Sequence, residues 1–150
     1  MKVVIQRVSE ANVTIEGKIF GAIKTGLMIL VGFENEDNRE DLEWMAGKIT
    51  RLRIFPDENN VMNLSVGDID GEILLISQFT LHASTKKGNR PSYIYAANPE
   101  IAIPLYDEFT KLLESQLSKP VQTGIFGADM KVFLINDGPV TIIIDSKNKT

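Results

Sequence analysis

Apolar and polar residues alternate from Val3 to Ile15. "VVIQRV" and "ANVTIE" each carry the period-two pattern of a half-buried strand, and the break at Ser9-Glu10 predicts a hairpin between them. "GLMILVGF" at 26–33 has almost no polar position, as expected of a strand buried on both faces. "NEDN" then offers a helix N-cap, and "REDLEWMAGKITRL" places Leu42, Met45, Ala46 and Ile49 on one helical face, with Trp44 read as core. "FPDENNVMN" is a turn-rich loop. "EILLISQFTL" at 72–81 predicts a second buried strand, turning polar at Ser77-Gln78 and again at Thr80. "HASTKKGNRPSYIYAANP" is a long irregular segment, of the kind that tends to carry function in a compact fold. "PEIAIPLYDEFTKLLESQLS" predicts a second helix with Ile101, Leu105, Phe109, Leu112 and Leu113 inward; Pro104 is tolerable in its first turns. Two apolar runs, "MKVFLI" and "VTIII", flank "NDGPVT", which reads as a hairpin turn. Pro139 is an odd choice there, since it removes a backbone donor beside a strand.

Six to eight strands and two helices make an α+β fold: a single domain over residues 1–150, with a mostly antiparallel, barrel-like sheet and two helices. A chain of 150 residues can bury a real core. No apolar run is long enough to span a bilayer, and the first residues alternate like a strand rather than a signal peptide. With no cysteine there is no disulfide or thiol chemistry, so a cytoplasmic protein without a membrane partner is expected. The sole histidine, His82, leaves no ligand set for a His/Cys zinc site, and a Ser-His-Asp triad would need His82 as its base. No phosphate-binding glycine loop is present, and neither metal nor cofactor is expected. The net charge of −4 argues mildly against a nucleic-acid partner, although a local basic patch can act inside an acidic total.

Four motifs occur in order: "SQFTL" at 77–81, "KKGNRPS" at 86–92, "TGIFGADM" at 123–130 and "NDGPVT" at 136–141. With "GLMILVG", "KITRLRIF" and "MNLS" they resemble the D-aminoacyl-tRNA deacylase family nearly end to end. His82 stands where that family usually has an aromatic residue, and Ser84 where it often has aspartate. The resemblance implies a homodimer that hydrolyses the ester of D-aminoacyl-tRNA at the 3′ end; a steric filter acting on Cβ could not reject glycine, so glycyl-tRNA is expected to be hydrolysed too. It implies that Ser77, Gln78, Phe79 and Thr80 form the catalytic wall. It also implies that Gly138 and Pro139, joined by a cis bond and inserted into the partner's pocket, check handedness, and that Phe126 and Met130 lie near the aminoacyl group.

Plainer readings stand beside these. Ser77 and Thr80 could simply satisfy backbone groups at a strand end. Lys86, Lys87 and Arg90 could be a solvated face, or could contact phosphates of the acceptor end; no carboxylate stands near them in sequence, which tilts the balance to contact. His82, two residues past Thr80 on an expected strand, would share its face and could be its base; the resemblance makes it incidental. Two mechanisms are open: Thr80 as a covalent nucleophile, which needs a base, or hydrolysis helped by the tRNA's own 2′-hydroxyl while the protein stabilises the oxyanion. A chain so poor in histidine favours the second. A non-catalytic nucleic-acid-binding module and a small-molecule esterase are the competing classes.

Overall fold

The computed structural model describes residues 1–150. Its axis is one long strand, β1 (Lys2–Ile15). On one edge β1 pairs antiparallel with β3 (Gly26–Gly32) through its first half and with β2 (Lys18–Ile23) through its second. Along the other edge runs β8 (Lys131–Asp145), also antiparallel. β3 continues the sheet through parallel pairing with β6 (Glu72–Ser77), and β6 pairs parallel with the short β7 (Gln122–Thr123). β2 packs against β6 and β7, which curls the sheet towards a barrel. β4 (Phe55–Pro56) and β5 (Met62–Leu64) form a small hairpin apart from it.

Each parallel pairing requires a crossover, and each crossover carries a helix. Between β3 and β6 lies α1 (Arg39–Arg51), whose N-terminus is closed by a capping box. The Asn38 side chain accepts from the Glu40 and Asp41 N–H groups, and Asp41 accepts from the Asn38 N–H. Between β6 and β7 lies α2 (Pro99–Leu117), which packs against α1. The main core joins Ile5, Ile29 and Leu75 of the sheet to Met45, Ile49, Phe109 and Leu113 of the helices. A second cluster holds Val8, Val13, Met28, Leu74 and Ile76, so β3 and β6 are buried on both faces. Each such fully buried aliphatic side chain contributes about 1.5–3 kcal/mol.

The α+β class, the two helices and the barrel-like sheet agree with the sequence reading, and four local expectations need correction. Ser9-Glu10 is not a turn: β1 runs straight through it, and its register against β8 slips there. Buried Val8 and Ala11 are three residues apart because a bulge resets the alternation, a pattern that period counting cannot tell from a hairpin. "NDGPVT" is not a hairpin either, since both apolar runs around it pair with β1 in the same direction. In α2 the buried residues are Ala102, Tyr106, Phe109 and Leu113, whereas Ile101 is 39% exposed. The face is turned by one residue because Tyr106 is buried: its hydroxyl donates to the Leu75 carbonyl at 2.8 Å. Trp44 only borders the core, with the ammonium groups of Lys48 and Lys149 over its ring.

Burial drives the Tyr106 hydroxyl pKa far up, with a smaller contribution from Asp107, so it stays a neutral donor across the physiological range. Tyr106→Phe should therefore lower stability by about 1 kcal/mol, the worth of one buried hydrogen bond. Urea unfolding at neutral pH measures it, and the loss should appear in the midpoint with the slope unchanged.

Candidate active site

β6 runs on for as long as β3 offers a partner. Gln78 N–H donates to the Val31 carbonyl at 2.7 Å, and there the ladder stops. The chain then winds into one 3-10 turn, Phe79–His82. This turn lies on Gly32, where an added Cβ would sit 2.8 Å from the Gln78 carbonyl oxygen and 3.1 Å from the His82 ring. Only glycine at position 32 lets the turn settle there. The expected strand over 72–81 therefore ends at Ser77, and Phe79 and Thr80 belong to a turn.

At this strand end a cleft of about 300 Å³ opens. Ser77, Gln78 and Phe79 form one wall, and the loop of Phe126, Gly127, Ala128, Asp129 and Met130 forms the other. Gln78 and Phe126, 48 positions apart in sequence, thus line the same cleft. Phe126 packs edge-on against the ring of Tyr106 (centroids 6.1 Å apart), so the residue whose hydroxyl anchors α2 to β6 also braces the far wall with its ring. Thr80 does not line the cleft directly. Its Oγ1 accepts a 2.6 Å hydrogen bond from Gln78 Nε2, which leaves the threonine's own proton free to be donated elsewhere.

The two residues once paired as candidate nucleophile and base are not so arranged. In a 3-10 turn, positions i and i+2 are roughly 240° apart around the axis. His82 accordingly points inward: it is buried, and its Nε2 has no hydrogen-bond partner. His82 is therefore not placed as a base for Thr80. No three acidic or histidine side chains converge to hold a metal ion.

Gly138 and Pro139 do not line the cleft of their own chain. Along the β1–β8 ladder Gln6 faces Thr141 and Val8 faces Asn136, so Asp137–Val140 bulges out opposite the single residue Arg7. The bulge is firmly held. Arg7 Nε donates to the Asp137 carbonyl at 2.8 Å and Arg7 Nη1 to the Ile54 carbonyl at 2.7 Å, while Asn136 Oδ1 accepts from the Val140 N–H at 2.8 Å. The Gly138–Pro139 bond is cis, as the resemblance implied, and both residues are exposed.

Lys86, Lys87 and Arg90 ride on an exposed loop closed at its base by two hydrogen bonds between the Ser84 and Ser92 backbones (2.7 and 2.9 Å). None of the three forms an ion pair within the chain. Ile76, Gly127, Ala128, Asp129 and Val132 also line the cleft and were not singled out from sequence. Gly127–Asp129 lie inside "TGIFGADM", so that motif carried the signal; Arg7 left none beyond being a cation within a strand.

Comparison with known proteins bears on this site. The model of the family described as D-Tyr-tRNA(Tyr) deacylase matches residues 4–145. A D-aminoacyl-tRNA deacylase of Flavobacterium psychrophilum is 70% identical over 149 residues, 99% of each chain. One of Bacteroides fragilis (strain YCH46) is 66% identical over the same share. A solved structure described as c-Myc DNA unwinding element binding protein superposes with a TM-score of 0.92 at 41% identity, covering 97% of this chain and 98% of that one. A probable eukaryotic D-amino acid tRNA deacylase superposes with a TM-score of 0.81 over 95% and 97% of the chains, and its 17% identity speaks to the fold alone.

The bulge itself can be probed without any assay of function. Gly138 has φ +145°, and a Cβ there would stand 2.8 Å from Val140 Cγ2 and 3.1 Å from Arg7 Nη2. Gly138→Ala should cost about 1–3 kcal/mol. It should also speed hydrogen exchange at the Val140 amide, which is read directly by mass spectrometry or NMR.

Proposed function

The chain belongs to the D-Tyr-tRNA(Tyr) deacylase family, and from that premise we propose how its cleft works. The protein is a D-aminoacyl-tRNA deacylase, a hydrolase of the ester that joins an aminoacyl group to tRNA. One observation carries the site assignment: the end of β6 and the 126–130 loop, far apart in sequence, close on a single cleft lined by polar groups that can donate to a carbonyl oxygen.

In this reading the ester carbonyl lies against Ser77 and Gln78, whose hydroxyl and free amide N–H stabilise the oxyanion as water attacks, while Thr80 Oγ1 holds the Gln78 amide in place. The 2′-hydroxyl of the terminal ribose helps to activate that water. That His82 is not placed as a base for Thr80 supports this route over a covalent one. Phe126 and Met130 flank the aminoacyl group. Lys86, Lys87 and Arg90 meet phosphates of the acceptor end.

Stereochemical choice falls to Gly138 and Pro139 of a second copy. Supporting this, the bulge is exposed and does not line its own cleft, and it lies on a strand that exposes Phe133 (51%), Ile135 (46%) and Ile143 (71%), an apolar surface suited to a two-fold partner. Main-chain groups of the inserted segment would hold the substrate's α-amino group and occupy the space of an L side chain. A D side chain would point to solvent. Glycine has no Cβ to clash, so glycyl-tRNA would be cleaved too.

The name of the 41% identical structure favours one other reading, a nucleic-acid-binding protein without turnover. Incubation with D-Tyr-tRNA and L-Tyr-tRNA separates the two. The deacylase should release D-tyrosine at least about a hundredfold faster than L-tyrosine, a discrimination near 2.7 kcal/mol. Binding of both without release supports the alternative. On the same D-substrate, replacing the terminal 2′-hydroxyl by hydrogen should abolish turnover, whereas Thr80→Ala should retain much of it. The reverse pattern identifies Thr80 as the nucleophile.

A further inference from the structure

We propose that Tyr93, edge-packed on Phe79, is a stacking platform for the base that precedes the terminal adenosine, so that the enzyme reads a dinucleotide end rather than a lone nucleoside. This rests on the deacylase reading of the cleft and extends it outward along the RNA.

The cleft fixes the problem. At about 300 Å³ it is at the small end of ligand pockets. It can take the aminoacyl ester with part of the last nucleoside, and the next nucleotide must lie on the rim. The rim has two sides of opposite character. On one, Asp129 projects a carboxylate, already engaged by Lys131 at 3.0 Å. On the other stands Phe79 with Tyr93 against it, followed by the loop of Lys86, Lys87 and Arg90, none of which forms an ion pair within the chain. A polyanion leaves by the second side.

Along that side the surface is built in steps. Phe79 forms part of the cleft wall. Its ring meets Tyr93 in a T-shaped contact, with centroids 5.0 Å apart and planes at 74°. Both rings keep large exposed areas, 53% for Phe79 and 40% for Tyr93, although the two are packed together. Tyr93 follows directly on the Ser84–Ser92 closure, so its backbone is anchored where the basic loop begins and ends. Its neighbours Ser92 and Ile94, with Lys86, Lys87 and Tyr95, line a second groove of about 370 Å³. Cleft, aromatic step and cation-lined groove thus follow one another in the order ester, base, phosphate.

An exposed aromatic pair is a liability on a protein surface unless something covers it. Set between a cleft and a cationic groove it matches the way single-stranded nucleic acid is held, with bases on aromatic faces and the backbone along positive charge. Stacking of this kind tolerates any base. It therefore adds affinity for an unpaired 3′ end without selecting one tRNA over another, which suits an enzyme that must accept many.

Binding of two fragments, adenosine and the dinucleotide cytidylyl-adenosine, tests this by calorimetry without needing turnover. Wild-type protein should bind the dinucleotide roughly tenfold or more tighter than adenosine. Tyr93→Leu, which keeps an apolar side chain but no ring, should erase that gain and leave adenosine affinity where it was. Tyr93→Phe should restore it. If the dinucleotide binds no better than adenosine to the wild type, or if the gain survives in Tyr93→Leu, the platform is not there. An equal loss for both fragments would make Tyr93 a prop for Phe79 and would likewise overturn the proposal. The deacylase reading stands or falls separately, on release of D-tyrosine from D-Tyr-tRNA by the wild type.

Discussion

Every other feature of this protein is arranged around the ladder between β1 and β8. Eleven residues of the 14-residue β1 pair with eleven of the 15-residue β8. The two halves of β8 are locked by their partners, Lys131–Asn136 on one side and Thr141–Asp145 on the other. The residues between them outnumber what the opposite strand can match, so Asp137–Val140 must leave the sheet. Paired strands give up a segment only where its backbone groups find other partners. Arg7 and Asn136 supply them here. The result is a rigid, exposed protrusion made from a strand, without the entropy of a free loop.

The opposite end of the sheet is organised by a shortage of partners. β3 ends at Gly32, β6 has nothing left to pair with after Gln78, and the chain tightens into the turn that holds Phe79 and Thr80. Strand ends of parallel β units are where open α/β sheets usually place their ligands. Here α2 secures the arrangement, because Tyr106 bonds the Leu75 carbonyl and its ring backs Phe126. Stability and site geometry therefore share one side chain.

Much of this was legible in the sequence. The buried strands, the capped first helix and the class of fold follow from periodicity and N-cap chemistry, which act locally. Ser77, Gln78, Phe79, Phe126 and Met130 do meet in one cleft. What escaped was non-local. A bulge and a hairpin give the same interruption of alternation, and only the pairing of β1 with β8 distinguishes them at Ser9 and at Asp137. The orientation of α2 depended on a carbonyl of β6 reaching the Tyr106 hydroxyl. The apparent kinship of Thr80 and His82 presumed a strand that ends three residues before Thr80, and the turn sends the two side chains apart.

The central claim is that the complete catalytic pocket draws its wall from one chain and its stereochemical filter from another. Mixed dimers test it most directly. Gln78→Ala damages the wall and Gly138→Ala the filter, and each homodimer should be nearly inactive on D-aminoacyl-tRNA. If the two groups serve one pocket from different chains, a mixed dimer has one pocket with both defects and one with neither. Equal co-expression of the two variants should then recover about a quarter of wild-type activity, because half the dimers are mixed and each carries one intact pocket. If wall and filter of one pocket come from the same chain, every pocket in the mixture keeps a defect, and activity no higher than the mean of the two homodimers would contradict the account.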